Sequence, residues 1–119
     1  MTKEELLSLY QAQQNTRALA RLIDEPAPRR IFLQGLAGSS GAFIAASVAG
    51  LSSRQHVFIL PNREDAAYFL NNLEQLLPNP SALFFPSSYK KPFRLDDVDN
   101  ASILLRAEAL NRLNRNLQT

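Results

Sequence analysis

Three short apolar segments, at residues 31–34, 57–60 and 82–85, constrain the fold of this 119-residue chain more than any other feature. None of them alternates between apolar and polar residues, and a helical pattern follows each one. Continuous apolar runs that alternate with helices are typical of parallel strands covered on both faces. The sequence therefore predicts an α/β fold of three layers, in which a parallel sheet of about three strands lies between helices.

The residues before the first apolar segment carry two helical patterns. Thr2 and Glu5 have the spacing of a capping box, and Asn15 is placed to cap a second short helix. We therefore expect an N-terminal helical extension at residues 1–28 and the α/β domain at residues 29–119. Within that domain, Asn62 is predicted to cap the helix after the second strand, and Asp96 or Asp97 the last helix.

Composition excludes several classes of protein. The chain has no cysteine and one histidine, His56, which excludes a disulfide framework and thiolate or histidine-rich metal sites. Thirteen basic and eleven acidic residues give a net charge of +2, and neither half is strongly basic, unlike a dedicated nucleic-acid-binding domain. The sequence shows no bilayer-spanning run and no signal peptide. We therefore expect no metal site, no membrane contact and a cytoplasmic location.

The pattern with the most chemical content is the turn between the first predicted strand and the next helix. Its residues are Gly35, Gly38, Ser39, Ser40, Gly41 and Ala42. A phosphate-binding P-loop reads GxxxxGK[ST] in the same strand–loop–helix context. Here Ser40, Gly41 and Ala42 replace the second glycine, the phosphate-binding lysine and the magnesium-binding hydroxyl. The sequence therefore predicts a degenerate phosphate-loop remnant without a catalytic residue.

Two alternatives stay open beside this interpretation. The first is a nucleotide-binding domain with a nonstandard loop, which needs a cation from elsewhere, with Arg29 and Arg63 as candidates. The second is a weak nucleic-acid-binding module. Its candidate contacts are Lys90, Lys91 and Arg94, which lie among aromatic residues but directly before several aspartates that offset their charge.

Several stretches together resemble the N-terminal, UvrB-like region of bacterial transcription-repair coupling factors. They are LQGLAGSSGAF at residues 33–43, VFILPN at 57–62, LFFPSSY at 83–89, and residues 97–99 with the helix that follows. The resemblance covers roughly residues 30–115. It implies a helicase-like domain, of which this chain is expected to be the first part, with a phosphate loop that has lost its function.

The same resemblance implies a non-catalytic scaffold rather than an enzyme. Proteins of this family couple the removal of stalled RNA polymerase to nucleotide excision repair through recruitment of UvrA. Contact with UvrA is expected mainly through the subdomain that follows this region, and contacts with RNA polymerase and DNA through the whole protein. ATP and magnesium are expected only at the family's motor, so this region should hold no cofactor. Exposed edges of an incomplete sheet lead us to expect either a homodimer or a marginally stable monomer.

Overall fold

The computed structural model describes residues 1–77, 82–87 and 100–117, and within them the chain forms five helices. They are α1 (Lys3–Ala12), α2 (Gln14–Asp24), α3 (Ser40–Leu51), α4 (Arg63–Leu76) and α5 (Asn100–Leu117). The helix α3 lies at the centre and packs against α1, α2 and α4, while α1 also contacts α2 and α4. The division of the chain at residue 28 stays a prediction.

The predicted parallel sheet is wrong. None of the three apolar segments, at residues 31–34, 57–60 and 82–85, forms a strand, and the described residues hold no sheet. Each segment meets a glycine or proline within one residue of its end, at Gly35, Pro61 and Pro86. A strand this short is stabilised only by hydrogen bonds to neighbouring strands, and here the helices pack on one another instead. The described part of the chain therefore offers no sheet edge to the expected homodimer.

The composition of α3 explains why helices cover it. Its residues Ala42, Ala46, Ser47 and Val48 are buried, and the rest of the helix is half-buried up to Ala49. Small side chains let neighbouring helices pack closely around α3, and the end of the Gln11 side chain of α1 lies against Gly50. Residues 42–49 are apolar or small nearly all round in the sequence, which predicts a helix buried on most sides. This prediction is confirmed, although helices rather than a sheet bury α3.

Two of the predicted helix caps, Thr2 and Asn62, are confirmed. The predicted cap Asn15 is wrong, because α2 begins at Gln14 with Gln13 at its N-cap position and without a side-chain cap. Asp96 and Asp97 lie outside the described residues. The Thr2 N–H donates to Oε2 of Glu5 (2.8 Å) and the Glu5 N–H donates to Oγ1 of Thr2 (3.2 Å), which is the complete capping box. Hydrogen bonds at this helix start, first to backbone N–H and then to Thr2, hold the pKa of Glu4 below its usual value. At α4, the Asp65 N–H donates to Oδ1 of Asn62 (2.8 Å).

The buried core of the described residues consists mainly of small side chains. Its apolar members are Ala20, Ala42, Ala46, Val48, Leu73 and Ala109. Several of the largest apolar side chains are instead exposed, among them Phe32 and Ile59. Burial of apolar area is the main source of folding free energy, so a core of this kind stabilises the chain only modestly.

The last helix is set apart from the other four. Within the described residues, α5 does not pack closely against α1, α2, α3 or α4. The guanidinium group of Arg106, in α5, lies over the ring of Phe85, 4.9 Å from the ring centroid. Ala109, in the same helix, is buried. The segment at residues 82–87 therefore supplies a contact for this helix.

Candidate functional site

The glycine-rich turn lies on the surface and leads directly into α3. Gly35 and Gly38 have positive φ angles of 83° and 55°, which glycine adopts at little cost. Ser39 precedes the helix with φ −79° and ψ −1°, and its side chain makes no capping hydrogen bond. The six predicted remnant residues therefore form one tight turn and the first helical turn behind it.

Several polar groups of this turn are bonded to one another. The Ala37 N–H donates to Oγ of Ser40 (2.8 Å), and the Ser40 N–H donates back to the carbonyl oxygen of Ala37 (3.1 Å). The Ala42 N–H donates to the carbonyl oxygen of Ser39 (3.0 Å). A P-loop presents such backbone N–H groups to phosphate. These three N–H groups instead satisfy acceptors inside the turn.

Side-chain positions in the turn offer little chemistry to a bound nucleotide. Ala42 stands where a P-loop has its magnesium-binding hydroxyl, and it is only 3% exposed because it packs into the helical core. Gly41 stands at the lysine position, and a Cβ placed there would meet no atom within 4 Å. A side chain could therefore start at this position without a clash at its Cβ, but Gly41 itself supplies no charge.

Of the two cations considered for a nonstandard loop, Arg29 is engaged elsewhere. Its Nη2 lies 2.6 Å from Oε2 of Glu25, in an ion pair just beyond the end of α2. Arg63 is the first residue of α4. Within residues 1–77, 82–87 and 100–117, no group of three or more histidine, cysteine, aspartate or glutamate side chains is arranged to hold a metal ion.

Two of the former strand candidates expose large apolar side chains. Phe32 is 87% exposed, and its neighbours Ile31 and Leu33 are also exposed. Val57 and Ile59 are 74% and 93% exposed, while the ring of Phe58 packs against Phe69 of α4 with a centroid separation of 5.2 Å. We call residues 31–33 and 57–59 the exposed segments. Their apolar side chains lie on the surface, and their backbone belongs to neither a helix nor a strand.

A second surface was not predicted from the sequence, and we call it the arginine surface. It consists of Arg17 and Arg21 on α2, Arg29 after the end of α2 and Arg54 after the end of α3. Arg29 and Arg54 line one shallow cavity of about 380 Å³, and Arg17 and Arg21 line another of about 320 Å³. Asp24 lines the second cavity, and its carbonyl oxygen accepts a hydrogen bond from Arg54, which lines the first cavity. The two cavities are therefore neighbours.

Neutral acceptors hold two of these arginines in place. The Arg17 Nε donates to the carbonyl oxygen of Gln11 (3.2 Å), and Arg54 Nη2 donates to the carbonyl oxygen of Asp24 (3.3 Å). The Asp24 carboxylate accepts a hydrogen bond from the Ser52 hydroxyl (2.5 Å). These two acceptors orient the guanidinium groups without forming ion pairs, although the Asp24 carboxylate lines the same cavity as Arg17 and Arg21.

Counting the charged residues over a different range of the sequence would have pointed to this surface. Residues 6–62 carry five arginines and two carboxylates, a net charge of +3, which exceeds the +2 of the whole chain. Counting by halves lowers this value to +2, because Lys3, Glu4 and Glu5 are then included and together add one negative charge. The predicted contacts Lys90, Lys91 and Arg94 lie outside the described residues.

No helix in the described ranges is both long enough and apolar enough to cross a membrane. Comparisons of the chain with protein-family models, with curated proteins and with solved structures find no match.

Proposed function

We propose that this chain is a non-catalytic interaction and scaffold module of a transcription-repair coupling factor. Its partners would be those of that family: UvrA, RNA polymerase and DNA, in the cytoplasm. The sequence stretches at residues 33–43, 57–62 and 83–89 support the family assignment. The proposal does not depend on the sheet that those stretches had suggested, because it concerns the exposed apolar side chains at residues 57–59.

The observation that carries the proposal is the exposure of three consecutive apolar residues, Val57, Phe58 and Ile59. Soluble domains seldom leave several large apolar side chains in water on adjacent positions unless a partner covers them. Since the core of the described residues is small, covering these side chains would also stabilise the chain itself. A scaffold gains both specificity and stability from such a surface.

The glycine-rich turn supports the non-catalytic part of the proposal. Phosphoryl transfer requires groups that neutralise the charge developing on the phosphate. Gly41 and Ala42 supply neither a cation nor a hydroxyl, and Ser40 is bonded to Ala37 inside the turn. ATP and magnesium would then serve only the motor found elsewhere in proteins of this family.

Isothermal titration calorimetry of the 119-residue chain tests both parts. We expect weak binding of UvrA, because most of its contact is expected through the subdomain that follows this region, and no heat of binding with Mg-ATP. The double variant Val57→Ser/Ile59→Ser should weaken UvrA binding at least tenfold. The matched control Leu104→Ser, at a 70% exposed position of α5, should leave it within twofold. Micromolar affinity for Mg-ATP would contradict the non-catalytic assignment, and equal loss in both variants would contradict the role of the exposed segments.

A further inference from the structure

We propose that the arginine surface binds the phosphate backbone of single-stranded nucleic acid, with the ring of Phe32 as a stacking platform for a base. This site is separate from the exposed segment at residues 57–59 that the scaffold proposal tests. It also differs from the sequence-predicted contacts at Lys90, Lys91 and Arg94, since it is formed by α2 and by the residues after α2 and α3.

The charge of the region favours a polyanion. Residues 6–62 have a net charge of +3, so the remaining residues together carry a net charge of −1. Both carboxylates of the region lie beside the arginines, since Glu25 lines the first cavity and pairs with Arg29, and Asp24 lines the second. The four arginines therefore keep an excess of two positive charges, carried mainly by Arg17, Arg21 and Arg54. Positive potential is therefore concentrated around the end of α2, where a chain of phosphates would gain most from it.

The positions of the guanidinium groups favour phosphate in particular. Arg17 and Arg54 are oriented by backbone carbonyl oxygens, so part of the entropy cost of ordering them is already met in the free protein. Arg17 and Arg21 are four residues apart on α2 and therefore project from one face of the helix. Two neighbouring cavities lined by arginine can thus receive successive phosphate groups.

The exposed aromatic ring distinguishes a single-stranded nucleic acid from an acidic peptide. Ile31 lines the cavity that contains Arg29 and Arg54, and Phe32 is the next residue, with 87% of its surface exposed. Unpaired bases stack on such rings next to basic grooves, whatever their sequence. An acidic peptide would use the arginines but would have no use for the ring.

Fluorescence anisotropy with a labelled 20-nucleotide oligothymidylate, titrated with the full chain at several salt concentrations, tests the proposal. We expect binding at low salt that weakens as salt rises. Arg21→Ala/Arg54→Ala should lower the affinity at least tenfold and reduce the slope of log K against log salt by about 1.4, since each single-strand phosphate contact contributes about 0.7. Phe32→Ala should lower the affinity about tenfold with the slope unchanged.

Three controls keep the result interpretable. Arg115→Ala, at an exposed position on α5, removes the same kind of charge elsewhere and should change the affinity less than twofold. Arg21→Lys/Arg54→Lys keeps the charge and should retain most of the salt dependence even if the alanine variant folds poorly. A labelled polyglutamate of equal length should bind at least tenfold more weakly. Equal binding of polyglutamate, an unchanged affinity in Phe32→Ala, or no binding at low salt would each overturn the proposal.

Discussion

Replacing Ile59 by alanine should leave the stability of the chain almost unchanged, whereas Leu73→Ala should be strongly destabilising. Ile59 is 93% exposed, so folding removes only about 7% of its surface from water. Fully burying an isoleucine side chain contributes about 1.5–3 kcal/mol, and the exposed residue therefore contributes about 0.1–0.2 kcal/mol. Leu73, on α4, is 4% exposed, and a buried leucine replaced by alanine costs about 2–5 kcal/mol.

Urea unfolding followed by circular dichroism at 222 nm measures both changes. With a slope of about 2 kcal/mol per molar urea, Leu73→Ala should lower the midpoint by about 1–2.5 M, and Ile59→Ala by less than about 0.2 M. The dependence of the unfolding free energy on urea concentration should be the same for both variants, which would show that they unfold from comparable states. A loss of about 2 kcal/mol or more for Ile59→Ala would mean that residues 57–60 form a buried strand. That result would refute the assignment of this segment to the surface.

Two further predictions concern helix ends and glycines. Thr2→Ala should destabilise the chain by about 0.5–2 kcal/mol in the same unfolding assay, because it removes the cap of α1; no measurable change would show that this helix end is frayed. Gly50→Ala should stabilise by up to about 1 kcal/mol, because position 50 is helical and only the mobile end of Gln11 must move. Gly38→Ala should instead destabilise by about 1–2 kcal/mol at its positive φ. Equal effects of the two glycine replacements would contradict the backbone geometry.

The elements that could be predicted from sequence are those defined by neighbouring residues. Each confirmed helix cap is a hydrogen bond between residues three positions apart, Thr2 with Glu5 and Asn62 with Asp65. Such a spacing can be recognised in the sequence without knowledge of the fold. The small residues of α3 likewise predict a buried helix whatever covers it. These signals are local, and the structure confirms them.

The sheet and the arginine surface depend on tertiary contacts, which a single sequence does not display. An apolar run such as residues 57–60 fits a buried strand, but the same run can remain exposed when helices pack directly on each other. The arginines span positions 17–54 and meet only because α2 and the end of α3 lie together. A count of charge for each half of the sequence does not show which charged side chains lie close together in the folded chain.

The small side chains in the core also have a consequence for the temperature dependence of folding. The heat capacity change of unfolding arises mainly from newly exposed apolar area, and alanines at positions such as 20, 42 and 46 expose little of it. The value for this chain should therefore fall below the usual figure of about 12–15 cal/mol/K per residue. A low heat capacity change flattens the stability curve, so warming or cooling from the temperature of maximum stability would alter the folded population only gradually.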